Sequence, residues 1–149
     1  IAFLAFSEFG KGYLEAVDES SPGIAIADIQ KMEKVVKDAK KISDVVVVSL
    51  HFGEEYQREP NENQKKIARV AIDAGADIVA GHHPHVRQTV ERYNNGVIAY
   101  SLGNFIFDQQ FSDEVTRGYL LEVVLRGKKI AIVKPRTVVI SPAFQVDFE

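Results

Sequence analysis

The chain has no cysteine among its 149 residues. That excludes disulfides, thiolate metal sites and a cysteine nucleophile. It has no excess of positive charge either: 18 Lys and Arg stand against 21 Asp and Glu, a net charge of -3. A protein that binds a phosphate backbone shows a basic face or a polybasic run, and here Lys and Glu are interspersed as on a solvated surface, so no nucleic-acid partner is expected. No apolar run reaches the roughly 20 residues of a membrane span. There is no internal repeat and no low-complexity segment. There is also no leader and no initiator Met. Ile1 opens directly into Ala2-Phe3-Leu4-Ala5-Phe6, a buried-strand pattern, so the chain reads as a single domain forming the C-terminal portion of something longer. Membrane association would then come only through a segment outside these residues. At 46% hydrophobic and 26% charged, the chain is long enough and apolar enough to bury one core.

Histidine is scarce too, and its placement is the informative feature. Three of four histidines lie in Gly81-His82-His83-Pro84-His85, and the fourth, His51, ends the run Val45-Val46-Val47-Val48-Ser49-Leu50. Imidazole is the commonest protein metal ligand and titrates near neutrality. A chain that spends every histidine at the ends of two apolar runs builds a polar site there, the plain alternative being a solvated loop.

The periodicity places these runs. Ile1 to Phe6 reads as a strand and Ser7 to Gly23 as a surface loop. Asp28 caps a helix from Ile29 to about Ile42 whose apolar positions Ile29, Met32, Val35, Val36, Ala39 and Ile42 share a face. Asp44 to Leu50 reads as a central strand covered on both faces, and the apolar start at Ile1 reads as a strand internal to a sheet for the same reason. A second helix runs from about Glu62 to Ala74 and stops at Gly75. Ala76 to Ala80 is a short strand. Helical crossovers favour parallel neighbours, so both histidine-bearing loops are expected on one edge of a sheet. From Gln88 the pattern turns to β: a hairpin about Asn94-Asn95-Gly96, then a second joining Tyr119 to Leu125 with Ile130 to Val139 around Gly127.

His83 and His85 are two apart, so an extended backbone points both into one cavity, with His51 arriving from the neighbouring strand. Three imidazoles suit zinc, iron, manganese or nickel better than calcium. The nearby carboxylates are Glu54, Glu55 and Asp108, none with a ligand spacing of its own. His82 faces the other way on an extended backbone, so a general acid or a supporting donor is the favoured reading over a fourth ligand. Asn104, in a Gly-Asn pair after an apolar strand, is a turn residue or an amide that holds a phosphate or carboxylate. Glu55 and Tyr56 are solvated loop residues or supports for the ligands beside them. Phe105 and Phe107 are read as core.

Together these pieces resemble a known family. The segments His51-Phe52-Gly53-Glu54-Glu55-Tyr56, the helix with Gln64 and Ala68, Asp73 to Val86, and Tyr100-Ser101-Leu102-Gly103-Asn104-Phe105-Ile106-Phe107-Asp108 are similar to bacterial capsule-synthesis proteins of the CapA type. That family is linked to poly-γ-glutamate and related to calcineurin-like metallophosphoesterases. The resemblance covers roughly Ile29 to Leu125. It implies an α/β fold, a four-layer α/β/β/α sandwich with mixed sheets, of which this chain is the C-terminal part. It implies metal ligation by His51, His83 and His85, and the residue at the place of His82 varies in the family. On this chain's own residues, His82, Asn104 and Asp108 are the candidate catalytic residues, with Glu55 supporting the ligands. The cofactor implied is a divalent metal (manganese, zinc or iron), dinuclear only in a longer protein. Phe52 stands where the family usually has tryptophan. The upstream acidic and Asn-His metal motifs have no match before His51; Asp18, Glu19 and Asp28 lack the expected neighbours.

The function implied is poly-γ-glutamate capsule biosynthesis, acting on an anionic polymer or phosphoester by metal-activated water. The rivals are a generic metal-dependent phosphoesterase and a non-catalytic polymer-binding subunit. Self-association is expected through strand edges left open, and the resemblance points to the cell surface or the membrane.

Overall fold

The computed structural model describes residues 1–12, 14 and 20–149. The elements are β1 (Ala2–Ser7), α1 (Ile29–Ile42), β2 (Val46–His51), α2 (Glu62–Asp73), β3 (Ile78–His82), β4 (Val90–Tyr93), β5 (Gly96–Ala99), β6 (Arg117–Arg126), β7 (Lys129–Ile140) and β8 (Val146–Phe148). Asp18 and Glu19 lie outside the described residues.

Both helices begin where their capping chemistry dictates. The Asp28 side chain accepts from the Lys31 amide at 2.9 Å. Asn61 and Gln64 bond reciprocally across the first turn of α2, a capping box that satisfies two otherwise orphaned donors. Met32 and Val36 of α1 and Ile67, Ala68 and Ala71 of α2 pack on Val46, Val48 and Leu50 of β2. The helices thus cover one face of a five-stranded sheet ordered β1-β2-β3-β5-β4, in which β1, β2, β3 and β5 run parallel and β4 is antiparallel. The β4–β5 hairpin turns through Asn94 and Asn95, with Tyr93 opposite Gly96. A second, antiparallel sheet is ordered β6-β7-β8. The fold is therefore α/β with mixed sheets, and β8, three residues long, is too short for periodicity to reveal.

Two expectations about the first sheet fail. Uniformly apolar β1 and β2 suggest cover on both faces, yet the second face, with Phe3 and Val47, borders a cavity of about 620 Å³ shared with β6. And β1 is an edge strand: among the described residues β2 is the one strand it pairs with, and its other side carries only a single bridge, from Ser7 to Ile26. An apolar run marks both faces as suited to burial. It does not say what covers the second one.

Candidate metal centre

The centre forms where parallel strands end together. His51 and His82 are register partners at the carboxyl ends of β2 and β3, the position at which open α/β sheets place their sites. Past His82 the backbone leaves the extended region. His83 has φ 102° and His85 φ 59°, and Tyr56 on the facing loop has φ 62°. Non-glycine residues seldom occupy this region, and such strain concentrates at functional sites. The extended segment expected for His83-Pro84-His85 is thus corrected: a bend, rather than strand alternation, turns these side chains inward. The facing loop is tied to that bend by the Tyr56 amide, which donates to the Pro84 carbonyl at 2.8 Å.

The rings close on one another. His51 and His83 have centroids 4.8 Å apart, and His83 and His85 6.1 Å apart. The tightest donor set is Glu55, His83 and His85, with one ligand atom from each lying within 4.8 Å of the others. His51 neighbours His83 outside that trio, and Glu55, expected only as a support, stands inside it. Two ligands of one ion are separated by at most about 4.2 Å, given metal–donor bonds near 2.1 Å. Glu55 is exposed on its loop and free to close the small remaining distance, so two imidazoles and a carboxylate fit a divalent transition ion.

The His85 ring is oriented from behind. Asn104 Nδ2 donates to the Val115 carbonyl at 2.9 Å, so its Oδ1 faces His85 Nδ1, at 2.8 Å. Nδ1 therefore carries the proton, and the Nε2 lone pair points towards Glu55, 4.0 Å from Oε1. Asn104 is buried. It is held by a close backbone approach: a Cβ on Gly118 would sit 1.9 Å from the Asn104 carbonyl oxygen. The rings of Tyr56 and Phe107 both stack on His85.

Burial lowers the pKa of His51, an effect reinforced by the neighbouring imidazoles. It lowers His82 as well, and it lowers His83 against the opposing pull of Glu55. Depressed values keep imidazole lone pairs available at neutral pH.

The remaining candidates separate. His82 borders the cavity between the sheets, away from the trio. Asp108 is exposed, and among the described residues no hydrogen bond or ion pair ties it to the histidines. Glu54 accepts from the Asn61 side chain and so supports the α2 cap. Phe105 and Phe107 are exposed rather than core, because the segment after Asn104 crosses the surface of the site. Two residues escaped the sequence reading. Glu8 accepts from the Gly53 amide at 2.9 Å and from Asn63 Nδ2, holding the loop that follows His51. Phe9 packs against His83 with ring centroids 4.4 Å apart. The available signal was position, since both follow the carboxyl end of β1, a third parallel strand.

Parallel strands that deliver imidazoles and a carboxylate to one edge define an α/β protein with a candidate metal centre. The chain belongs to the bacterial capsule synthesis protein family PGA_cap, whose family model matches residues 1–109. The match thus starts earlier and stops sooner than the Ile29-to-Leu125 resemblance. The chain is similar to the PGA biosynthesis protein CapA of Bacillus subtilis (strain 168), 49% identical over 110 residues, covering 73% of this chain and 28% of that protein. It is similar to the capsule biosynthesis protein CapA of Bacillus anthracis, 49% identical over 90 residues, covering 60% of this chain and 21% of that protein. A probable polyglutamine synthesis accessory protein of Mycobacterium tuberculosis (strain ATCC 25618 / H37Rv) is 31% identical over 71 residues, covering 48% and 19%. The chain therefore spans less than a third of the length of these relatives.

Proposed function

We propose that this chain is the metal-holding part of a capsule biosynthesis protein that handles an anionic polymer such as poly-γ-glutamate. The observation that carries the reading is the convergence of Glu55, His83 and His85 at the parallel strand ends of a capsule-synthesis family member. Glu55, His83 and His85 hold a divalent ion (manganese, zinc or iron), with His51 beside them. Asn104 fixes the His85 tautomer, and Glu8 holds the loop after His51. When bound, such an ion supplies Lewis acidity that activates water towards an amide or phosphoester. The wider fold is a four-layer α/β/β/α sandwich, and the second face of the first sheet, which borders the apolar cavity, is the face its partner sheet would pack against.

Isothermal titration with manganese or zinc tests the centre. The 149-residue chain is expected to bind one equivalent weakly, since two neutral imidazoles and one carboxylate offset little of a second cation's charge. His83→Ala and Glu55→Gln should each abolish that binding. Tight uptake of two equivalents, or full binding by both variants, overturns the ligand assignment. A panel of γ-glutamyl peptides and phosphate esters with added metal then separates a hydrolase from a polymer-binding subunit.

A further inference from the structure

A second cavity, of about 490 Å³, lies against the loops of the metal centre and carries three arginines on its walls: Arg58, Arg87 and Arg117. Arg58 is two residues beyond Tyr56, whose ring stacks on His85. Arg87 is two residues beyond His85. Arg117 opens β6 at the end of the segment that Asn104 begins. The same three stretches of chain thus build the centre and the cleft.

The arginines are presented in two ways. Arg58 pairs with Glu114, and Arg117 with Glu149. The Arg58 side chain is 74% exposed in its pair, and exposed ion pairs of this kind contribute little, about 1 kcal/mol at most. The Glu114 carboxylate can therefore exchange, and Glu149, itself 50% exposed, can leave the half-buried Arg117. Arg87 is fixed. Its Nη1 donates to Thr137 Oγ1 at 3.0 Å, and its guanidinium lies 5.0 Å from the Tyr119 ring centroid. Among the described residues no carboxylate is ion-paired with it, although Glu149, paired with Arg117, lies near enough to feel its charge. Glu59 and Asp113 also line the cleft, so its charges roughly balance. Such a cleft does not gather anions indiscriminately. It favours a ligand with several carboxylates in a row, which competes as a multivalent unit against the separate internal ones. A guanidinium fork matches a carboxylate in geometry as well as charge.

We propose that this cleft is a subsite for successive carboxylates of an anionic polypeptide running past the metal centre. Arg87 is its fixed anchor, and Arg58 and Arg117 exchange Glu114 and Glu149 for carboxylates of the polymer. The choice of a polycarboxylate over a phosphate chain rests on the capsule-polymer reading above.

The test is fluorescence anisotropy of a labelled γ-linked glutamate decamer with the 149-residue chain at low salt, with polyphosphate as comparator. Arg87→Gln and Arg58→Gln should each weaken decamer binding by about tenfold, the scale of one lost hydrogen bond to a charged group. Glu114→Gln should tighten it. Metal titration of all three variants should match the unsubstituted chain. Arg58 is exposed, so its variant keeps the test open if Arg87→Gln fails to fold. Equal decamer binding by the unsubstituted chain and both arginine variants overturns the cleft and leaves the capsule-polymer reading standing. Binding of polyphosphate but not of the decamer, lost in Arg87→Gln, overturns the polycarboxylate assignment and that reading with it. If neither ligand binds while metal still does, the cleft proposal falls alone.

Discussion

His85 and Asn104 are joined by a 2.8 Å hydrogen bond between the imidazole Nδ1 and the amide Oδ1. Asn104 is locked in turn by the Val115 carbonyl, so the amide cannot rotate without losing both bonds. One buried side chain thus sets which nitrogen of His85 faces the centre.

Asn104→Ala is expected to act on both stability and metal binding. It leaves the buried Val115 carbonyl without its donor, a loss of about 1–3 kcal/mol. It also frees the His85 ring, and losing such a supporting bond lowers metal affinity roughly 10–100-fold. Urea denaturation and calorimetric titration report the two effects separately. A destabilised variant with unchanged metal affinity would show that the amide is only a structural tie.

Tyr100→Phe tests a hydrogen-bond network outside the donor set. The buried Tyr100 hydroxyl donates to Glu91 Oε2 at 2.6 Å, and Arg69 holds the other carboxylate oxygen at 2.9 Å. Burial and the adjacent carboxylate raise the Tyr100 pKa far above the ordinary value. The hydroxyl therefore stays a donor at any physiological pH. Its removal should cost roughly 1.5–3 kcal/mol, the range for a hydrogen bond to a charged group, with metal binding unaltered. A variant as stable as the parent would remove this network from the account of the fold.

The pH dependence of the metal-free chain follows from the three histidines whose pKa burial lowers: His51, His82 and His83. In the unfolded chain they take up protons near pH 6.5. Below that pH the unfolded state binds more protons than the folded one, so stability falls as pH drops through the folded values. Their contribution is fully present above about pH 6.5. Melting temperatures measured from pH 8 to 5 should decline at the acid end, and His82→Gln should flatten the decline. An identical slope in the variant would count against a buried neutral His82.

Association is expected through the open edge and face of β1. Ile1 and Phe3 are 72% and 76% exposed beside the apolar cavity between the sheets. Unpaired strand edges and contiguous apolar surface both favour pairing between chains. Light scattering should show mass rising with concentration, and Phe3→Lys should suppress the rise. A monomer at every concentration would mean this surface is too small or too well hydrated to drive pairing.

Much of the architecture was legible in the residues. Asp28 announced the first helix and Gly75 the end of the second, the valine run announced β2, and Asn94-Asn95-Gly96 announced the hairpin. Such signals are local, because caps, turns and periodicity act over a few residues. The family was legible too, because several ordered motifs are far more specific than one histidine pair.

The sequence by itself determined that His51, His83 and His85 would follow strand ends, and a parallel pairing of those strands was enough to bring them to one edge. Tertiary structure alone decided which atoms meet there. The bend at His83 and His85 needs positive φ, which no propensity assigns to histidine. Glu55 enters the donor set because the Tyr56 amide binds Pro84, a contact between loops 28 residues apart (84 − 56). Glu8 holds the loop after His51 only because β1 lies parallel to β2. The sequence lists the donors. Long-range packing and backbone strain select among them.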